Sequence, residues 1–340
     1  MSSPDAYTLR AYRSGDEAAI QRAFTEVFGV ERGSAEWRWK FLEPPRGARI
    51  LLAFDSQGEL VCQYAAITVD IVWAGEPMQA AQIVDVFSRR RRGLGPRGGA
   101  FQRTMERFLA ECAAAGGVGF VYGFPGERHQ RAGAVTGHYF DPAAVERLTR
   151  CLPVAPAAAA RARWTPARSW ISEGFDAHAT DRLWQRSRQR YRQATVRDAA
   201  WFSWRYERRP GARYVQLGVH RAGETRAWGV VDFAAGTAEA RWVDLLWDGD
   251  RAADLADLAA AVEERTVANV ASAASPAGDA ASIALWVRGD NEARALLLER
   301  GYTGAPEPHL RLSAIPFDPR VSVPRVLADF YLTMGDSDHF

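Results

Sequence analysis

A chain of 340 residues, 47% hydrophobic and 25% charged, is globular and long enough for two domains, which excludes disorder, collagen-like repeats and a disulfide miniature. The formal net charge of +2 provides no general attraction to nucleic acid, and no run of about 18 apolar residues stands out as a membrane span. Cys62, Cys112 and Cys151 are too few and too scattered for a metal-type pair or an even disulfide set, and the start lacks a basic-then-apolar leader. A cytoplasmic protein without metal is expected.

In chain order, the first element is a helix. Ala19, Ile20, Ala23, Phe24, Val27 and Phe28 recur at helical spacing, with Asp16 placed to cap them. Trp37-Arg-Trp39 comes next and leads through prolines to Gly47-Ala-Arg. Strands are predicted at 49–54 and 60–69 around the turn Asp55-Ser-Gln-Gly58, and a second turn at 74–77 leads into a strand at 81–87. A helix over 101–115 and a buried strand over 118–124 complete this half.

The order then repeats. A helix-compatible stretch over 181–194 precedes Trp201-Phe-Ser-Trp204, which leads through Pro210 to Gly211-Ala-Arg; Trp204 to Gly211 is 7 residues, against 8 from Trp39 to Gly47. Strands at 214–219, 227–233 and 240–246, a helix over about 252–270 and a strand at 283–287 occur in the same order. Asp85 and Asp244 fall at corresponding points and are expected to make structural hydrogen bonds at strand ends. The paired tryptophans read as core. The Ala-, Pro- and Arg-rich stretch 152–170 reads as a linker. The expected architecture is mixed α/β (α+β), two tandem halves, each a mixed sheet with helices on both faces. They cover 1–150 and 181–340, joined by a crossover over 151–180. The tail from Phe330 is aromatic and strand-like, and is expected to pack against the sheet with its carboxylates toward the groove between the halves.

Chemistry concentrates between the strand ending near Phe87 and the helix from Phe101. Arg89 to Arg92 is followed by Gly93-Leu-Gly95-Pro-Arg97-Gly98-Gly99, and Phe101, Met105, Phe108, Leu109 and Cys112 line one face of the helix. Glycines before a helix let N–H groups converge, and the helix start adds partial positive charge, so the segment can cradle phosphates; arginines add charge-assisted contacts. A plain strand-to-helix turn with a solvated basic run is the alternative. Gly93-x-Gly95-x-x-Gly98 has the letters of a dinucleotide fingerprint but not its context, because the glycines do not abut the strand and no acid ends the next one.

Arg90-Arg-Arg-Gly93-Leu-Gly95 resembles the pyrophosphate-binding signature of the GNAT family, the GCN5-related N-acetyltransferases; Arg92-Gly-Leu-Gly95-Pro-Arg97 fits in a second register. Asp290-Asn-Glu-Ala, a helix and Gly301-Tyr302 are similar to the family's closing motif. The resemblance implies tandem GNAT-like domains, the second degenerate, since Asp248, Asp250 and Asp254 stand where phosphate would bind. It implies an N-acyltransferase that uses acetyl-CoA, or another acyl-CoA, and an amine acceptor. The thioester carbonyl would meet backbone near Val86, Phe87 and Ser88, and the phosphates would meet Arg90, Arg92, Gly93, Leu94, Gly95, Arg97, Gly98 and Gly99. Pantetheine would lie where the two strands splay. The tyrosine the family often uses as acid has no counterpart at 133–135, so Tyr122, His129 and Tyr139 are the catalytic candidates. A homodimer is compatible with this reading, and neither nucleic acid nor membrane is an expected partner. A catalytically silent acyl-CoA-binding or assembly module is the alternative function.

Overall fold

The computed structural model describes residues 7–89, 99–114, 116–126, 142–153, 169–233, 237–272 and 280–339. They form two compact units that interleave in sequence. The first comprises the described residues of Met1–Asp70, Met78–Asp141 and Ser313–Pro324; the second comprises those of Ile71–Pro77, Pro142–Leu312 and Arg325–Phe340. A division at 150 therefore differs from the units, and strand pairing is the reason. β6 (Ala143–Pro153) pairs with β12 (Ala280–Leu285), while residues 313–316 of β13 (Thr303–Pro316) pair with β5 (Phe120–Gly123).

In the first unit β1 (Tyr7–Ala11), β2 (Ala48–Asp55), β3 (Leu60–Trp73), β4 (Glu76–Ser88), β5 and the end of β13 lie side by side. Neighbouring β4 and β5 are parallel, whereas β1–β2, β2–β3 and β5–β13 are antiparallel. α3 (Ala100–Ala113) lays the predicted stripe on this sheet: Met105, Phe108, Leu109 and Cys112 are buried with Leu51, Tyr64, Ala81 and Val121. α1 (Glu17–Phe28) and α2 (Ser34–Phe41) precede β2, and Trp37, Trp39 and Phe41 are core residues. Asp16 does not cap α1 with its side chain. Its backbone is already helical, and its carboxylate takes two hydrogen bonds from Arg10 at 2.7 Å, a stronger charge-assisted arrangement.

The second unit orders β13 (residues 303–312), β6, β12, β11 (Glu239–Trp247), β10 (Glu224–Asp232), β9 (Tyr214–Arg221) and β7 (Ser169–Glu173), with β11 and β12 parallel. α6 (Ala252–Ser272) buries Leu255, Leu258, Ala259 and Val262. The closing motif is as the sequence indicated: Asp290 caps α7 (Asn291–Glu299) by accepting from Ala293 N–H at 3.0 Å, and Gly301, at φ 98°, precedes buried Tyr302. The helix predicted over 181–194 ends early. α4 spans Ala177–Ser187, one 3₁₀ turn comes after it, and Gln193–Thr195 becomes β8. Pairing decides this, since β8 bonds to residues 71–73 and to β14 (Phe330–Tyr331). α5 (Ala199–Phe202) carries Trp201 and continues into a widened turn, Ser203–Glu207, that carries Trp204; both rings are buried. β7 and the start of α4 occupy part of the stretch expected as linker, while 154–168 lies outside the described residues.

Cys62 and Cys112 are buried and Cys151 is exposed. Burial pushes the Cys62 thiol up to about 12 and that of Cys112 up to about 11. A maleimide or disulfide reagent is therefore expected to label Cys151 alone in the native chain, with Cys62 and Cys112 reacting only at the unfolding rate. A folded-state pKa above the unfolded value means the native state holds its proton longer. Stability should then fall as pH rises from about 9 toward 12, and Cys62→Ala should flatten that fall. Rapid labelling of two or three thiols in the native chain would contradict the packing.

Candidate functional site

The site is built on an irregularity in β4. Ala81, Ile83 and Val86 all pack into the core beneath α3, so the inward spacing is two residues and then three. Strict alternation would have placed Asp85 there. Asp85 instead breaks the alternation in the manner of a β-bulge, with φ 48°, a backbone region that side chains other than glycine seldom adopt. Three neighbours hold it. Its carboxylate takes the Arg32 guanidinium and, at 2.6 Å, the Lys40 ammonium; its carbonyl accepts from Gln63 Nε2 at 3.0 Å. Arg32 is fixed in turn over the Phe24 ring at 4.0 Å and by two hydrogen bonds to Gln21 Oε1. The expectation that Asp85 is structural holds.

The bulge re-aims the last residues of β4. Phe87 meets Phe28 of α1 edge-on, with centroids 6.2 Å apart, while Val86 stays on the α3 side. The parallel pairs of β4 and β5 run from Ala80–Phe120 to Gln82–Tyr122; β5 ends at Gly123 while β4 continues to Ser88. Pairing thus ceases just before the bulge. Val121 faces α3, so its neighbours Phe120 and Tyr122, with ring centroids 6.1 Å apart, face the other way. Tyr122 is 1% exposed and pairs with Gln82, itself buried.

The end of β4 and the start of α3 are brought together. Buried Cys62 packs with Ala100 at the start of α3, and its thiol lies near Ser88 and Thr104. α3 begins after an extended Gly99, which offers no capping side chain, and its first turn contains no acid. Its leading N–H groups are thus suited to an anion. Residues 90–98 link these adjacent ends. Arg90, Arg92, Gly93, Leu94, Gly95, Arg97 and Gly98 lie outside the described residues, as do His129 and Tyr139; Val86, Phe87, Ser88, Gly99 and Tyr122 are described. Arg89, the first arginine of the run, is committed elsewhere: it ion-pairs with Glu26 at 2.6 Å and Glu59 at 3.5 Å and donates to Leu60 O at 3.1 Å.

The second unit repeats the irregularity with different neighbours. Val230 pairs with Asp244 but Val231 with Trp242, so β11 bulges at Val243. Asp244 is fully buried and accepts from Arg197 Nε at 2.9 Å, Tyr206 OH at 2.6 Å and Trp201 Nε1 at 3.3 Å. The acidic segment beyond β11 is not a free negative patch. Asp248 and Asp250 face Arg226 at 3.2 and 3.7 Å, and Asp254 is buried against Arg221.

Sequence reasoning missed Arg32, Lys40 and Gln63, the residues that hold the first bulge. One signal was present: Lys40 is the single lysine among 43 basic residues, set between Trp39 and Phe41. Among the described residues no group of three or more His, Cys, Asp or Glu could hold a metal ion, and no helix is long and apolar enough to cross a membrane.

The profile of the acetyltransferase (GNAT) domain matches residues 8–131. No curated protein matches the chain in sequence. Among solved structures, the chain is similar to a probable N-acyltransferase of unknown function from Enterococcus faecalis V583, with TM-score 0.66, 14% identity and coverage of 92% of this chain and 72% of that one. It is also similar to a tandem GNAT protein from the clavulanic acid biosynthesis pathway, with TM-score 0.56, 13% identity and coverage of 92% and 99%. Saccharomyces cerevisiae N-myristoyltransferase, solved with bound myristoyl-CoA, shares the fold at TM-score 0.54, with 11% identity and coverage of 93% and 80%. At these identities the structural likeness concerns fold alone, and the profile adds the family assignment of the first segment. Residues 8–131 thus match the acetyltransferase (GNAT) domain, and the chain shares its fold with a tandem GNAT protein.

Proposed function

We propose that the protein transfers an acyl group from acyl-CoA to an amine, with the donor held in the first unit where β4 parts from β5 and α3 begins. The observation that carries this reading is the conjunction of a pinned bulge, the end of strand pairing and an uncapped, acid-free helix start, all at the two ends of one arginine- and glycine-rich sequence segment. These features fit a ligand with a slender arm and an anionic pyrophosphate.

Acyl-CoA supplies an activated thioester when bound. In this reading backbone N–H groups around Val86 to Ser88 polarise its carbonyl oxygen, and Arg90, Arg92, Gly93, Leu94, Gly95, Arg97, Gly98 and Gly99 receive the phosphates. An amine attacks only when neutral, so a proton must leave nitrogen while another reaches the departing sulfur. Tyr122 forms the last parallel pair of β4 and β5 with Gln82 and is the described candidate for the sulfur; His129 and Tyr139 are the others. Acetyl-CoA is the simplest donor, and the acyl chain it represents is part of the proposal.

Turnover of acetyl-CoA against a mixture of amines, followed as free thiol, tests the reaction. Tyr122→Phe is expected to lower turnover about 10²-fold while leaving CoA affinity unchanged. Undiminished turnover would remove Tyr122 from the mechanism. Binding of CoA with no turnover against any amine would instead favour the silent acyl-CoA-binding module.

A further inference from the structure

The second repeat also has a place where its parallel strands part, and the chain's own tail fills it. β11 and β12 pair from Glu239–Ser282 to Trp242–Leu285; β11 then continues to Trp247 while the other arm runs on through Trp286 to Gly289. Residues 330–336 lie between these arms and touch both. Against the far arm, Leu332 and Arg288 exchange two backbone hydrogen bonds, each 3.1 Å. A Cβ added to Gly289 would come within 2.8 to 2.9 Å of the backbone of Asp329, Phe330 and Tyr331. Against β11, Tyr331 OH donates to Leu245 O at 2.5 Å and Thr333 Oγ1 donates to Asp244 Oδ1 at 3.1 Å. A Cβ on Gly335 would approach Val243 O to 3.2 Å. The tail thus tracks Val243 to Leu245, at and beyond the bulge.

Its seat is specific. Asp336 is fully buried and takes Arg197 Nη2 at 2.5 Å and Thr195 Oγ1 at 2.7 Å, while Arg197 also bonds Asp244. Arg205 donates to Gly335 O at 2.9 Å and Ser337 O at 2.7 Å. Tyr331 is stacked between Tyr191, at 4.3 Å, and the Arg197 guanidinium, at 4.7 Å. Every residue from Phe330 to Ser337 is buried. A segment with this many mutual anchors is a packed element rather than a loose end.

We infer that the second repeat is a former ligand slot converted into a socket for the chain's own C-terminal segment, and that the seated segment closes this repeat to acyl-CoA. That it is acyl-CoA which is kept out rests on the proposed reading of the first unit; the seating itself does not. The asymmetry then has a steric cause. The acidic segment 248–254, already neutralised by arginines, is not needed to explain it.

A lock on the full chain tests the inference. In a Cys151→Ser background, Arg288→Cys and Leu332→Cys place two thiols at a hydrogen-bonded antiparallel pair, whose Cα spacing of about 5.5 Å permits a disulfide. Mild oxidation of the native protein is expected to form this bridge, and calorimetry with CoA should give the same number of sites and the same affinity before and after. Failure of the thiols to join in the native chain would overturn the seating. Loss of a CoA site on oxidation would overturn the closure. If the bridge forms and neither state binds CoA, the socket stands and the acyl-CoA reading of the first unit fails.

Discussion

Arg197→Met is expected to destabilise the second unit by about 3–5 kcal/mol, the range for removing one partner of a buried ion pair. Arg197, Asp244 and Asp336 are all fully buried, so the substitution leaves two carboxylates facing each other without their cation and without water. Burial already holds the Asp336 carboxyl above the usual range, with Arg197 opposing that rise. Without the guanidinium the largest influence opposing the rise is gone, leaving only the hydrogen bonds from Thr333 and Thr195 against it, and the folded state binds its proton more tightly than the unfolded chain. Stability of the variant should therefore increase as pH falls from 7 toward 5, whereas the parent changes less. Adding Asp336→Asn to Arg197→Met should recover part of the loss, because it removes one stranded charge. Thermal or urea unfolding at the two pH values measures both effects, and a variant as stable as the parent at pH 7 would refute the role given to this cluster.

Asp85→Ala should cost the first unit a similar amount, for a reason that combines charge and backbone. It strands Arg32 and Lys40, whose side chains are only 4% and 10% exposed, and it places alanine at φ 48°. Asp85→Gly strands the same cations but tolerates the backbone, so it should be more stable than Asp85→Ala by about 1 kcal/mol. Asp85→Asn keeps hydrogen-bond acceptors and tolerates the left-handed region, and should lie nearest the parent. All three are expected to weaken CoA binding, since the direction of Val86 to Ser88 depends on the bulge. Equal stabilities for the alanine and glycine variants would show that the backbone is not strained there.

Much of the fold was legible because it rests on periodicity. The stripe on α3, the hairpin strands and the Gly301-Tyr302 closure are written in local pattern, and their packing obeys it. What the sequence hid was non-local. Gln193 to Thr195 has no strand signal of its own and is extended because three segments far apart in sequence meet there. The return of residues 313–316 to β5 and the passage of β6 into the second unit are likewise pairing choices that composition does not record. At the site, the glycine- and arginine-rich letters were conspicuous. The anchors of the bulge were not, since a buried Lys40 or Gln63 looks like any polar residue until its partner is known. Tail docking was readable from its aromatic residues, yet Asp336 lies buried inside the second unit, and its pairing with Arg197 spans 139 positions.

Titration of the full chain with CoA in a calorimeter tests the central claim most directly. One site per chain is predicted, lost when Gly95 and Gly98 are replaced by bulkier residues, because a side chain at these positions would block the approach of backbone N–H groups to the phosphates. Two sites per chain, no binding at all, or binding undiminished in the glycine variants would contradict it.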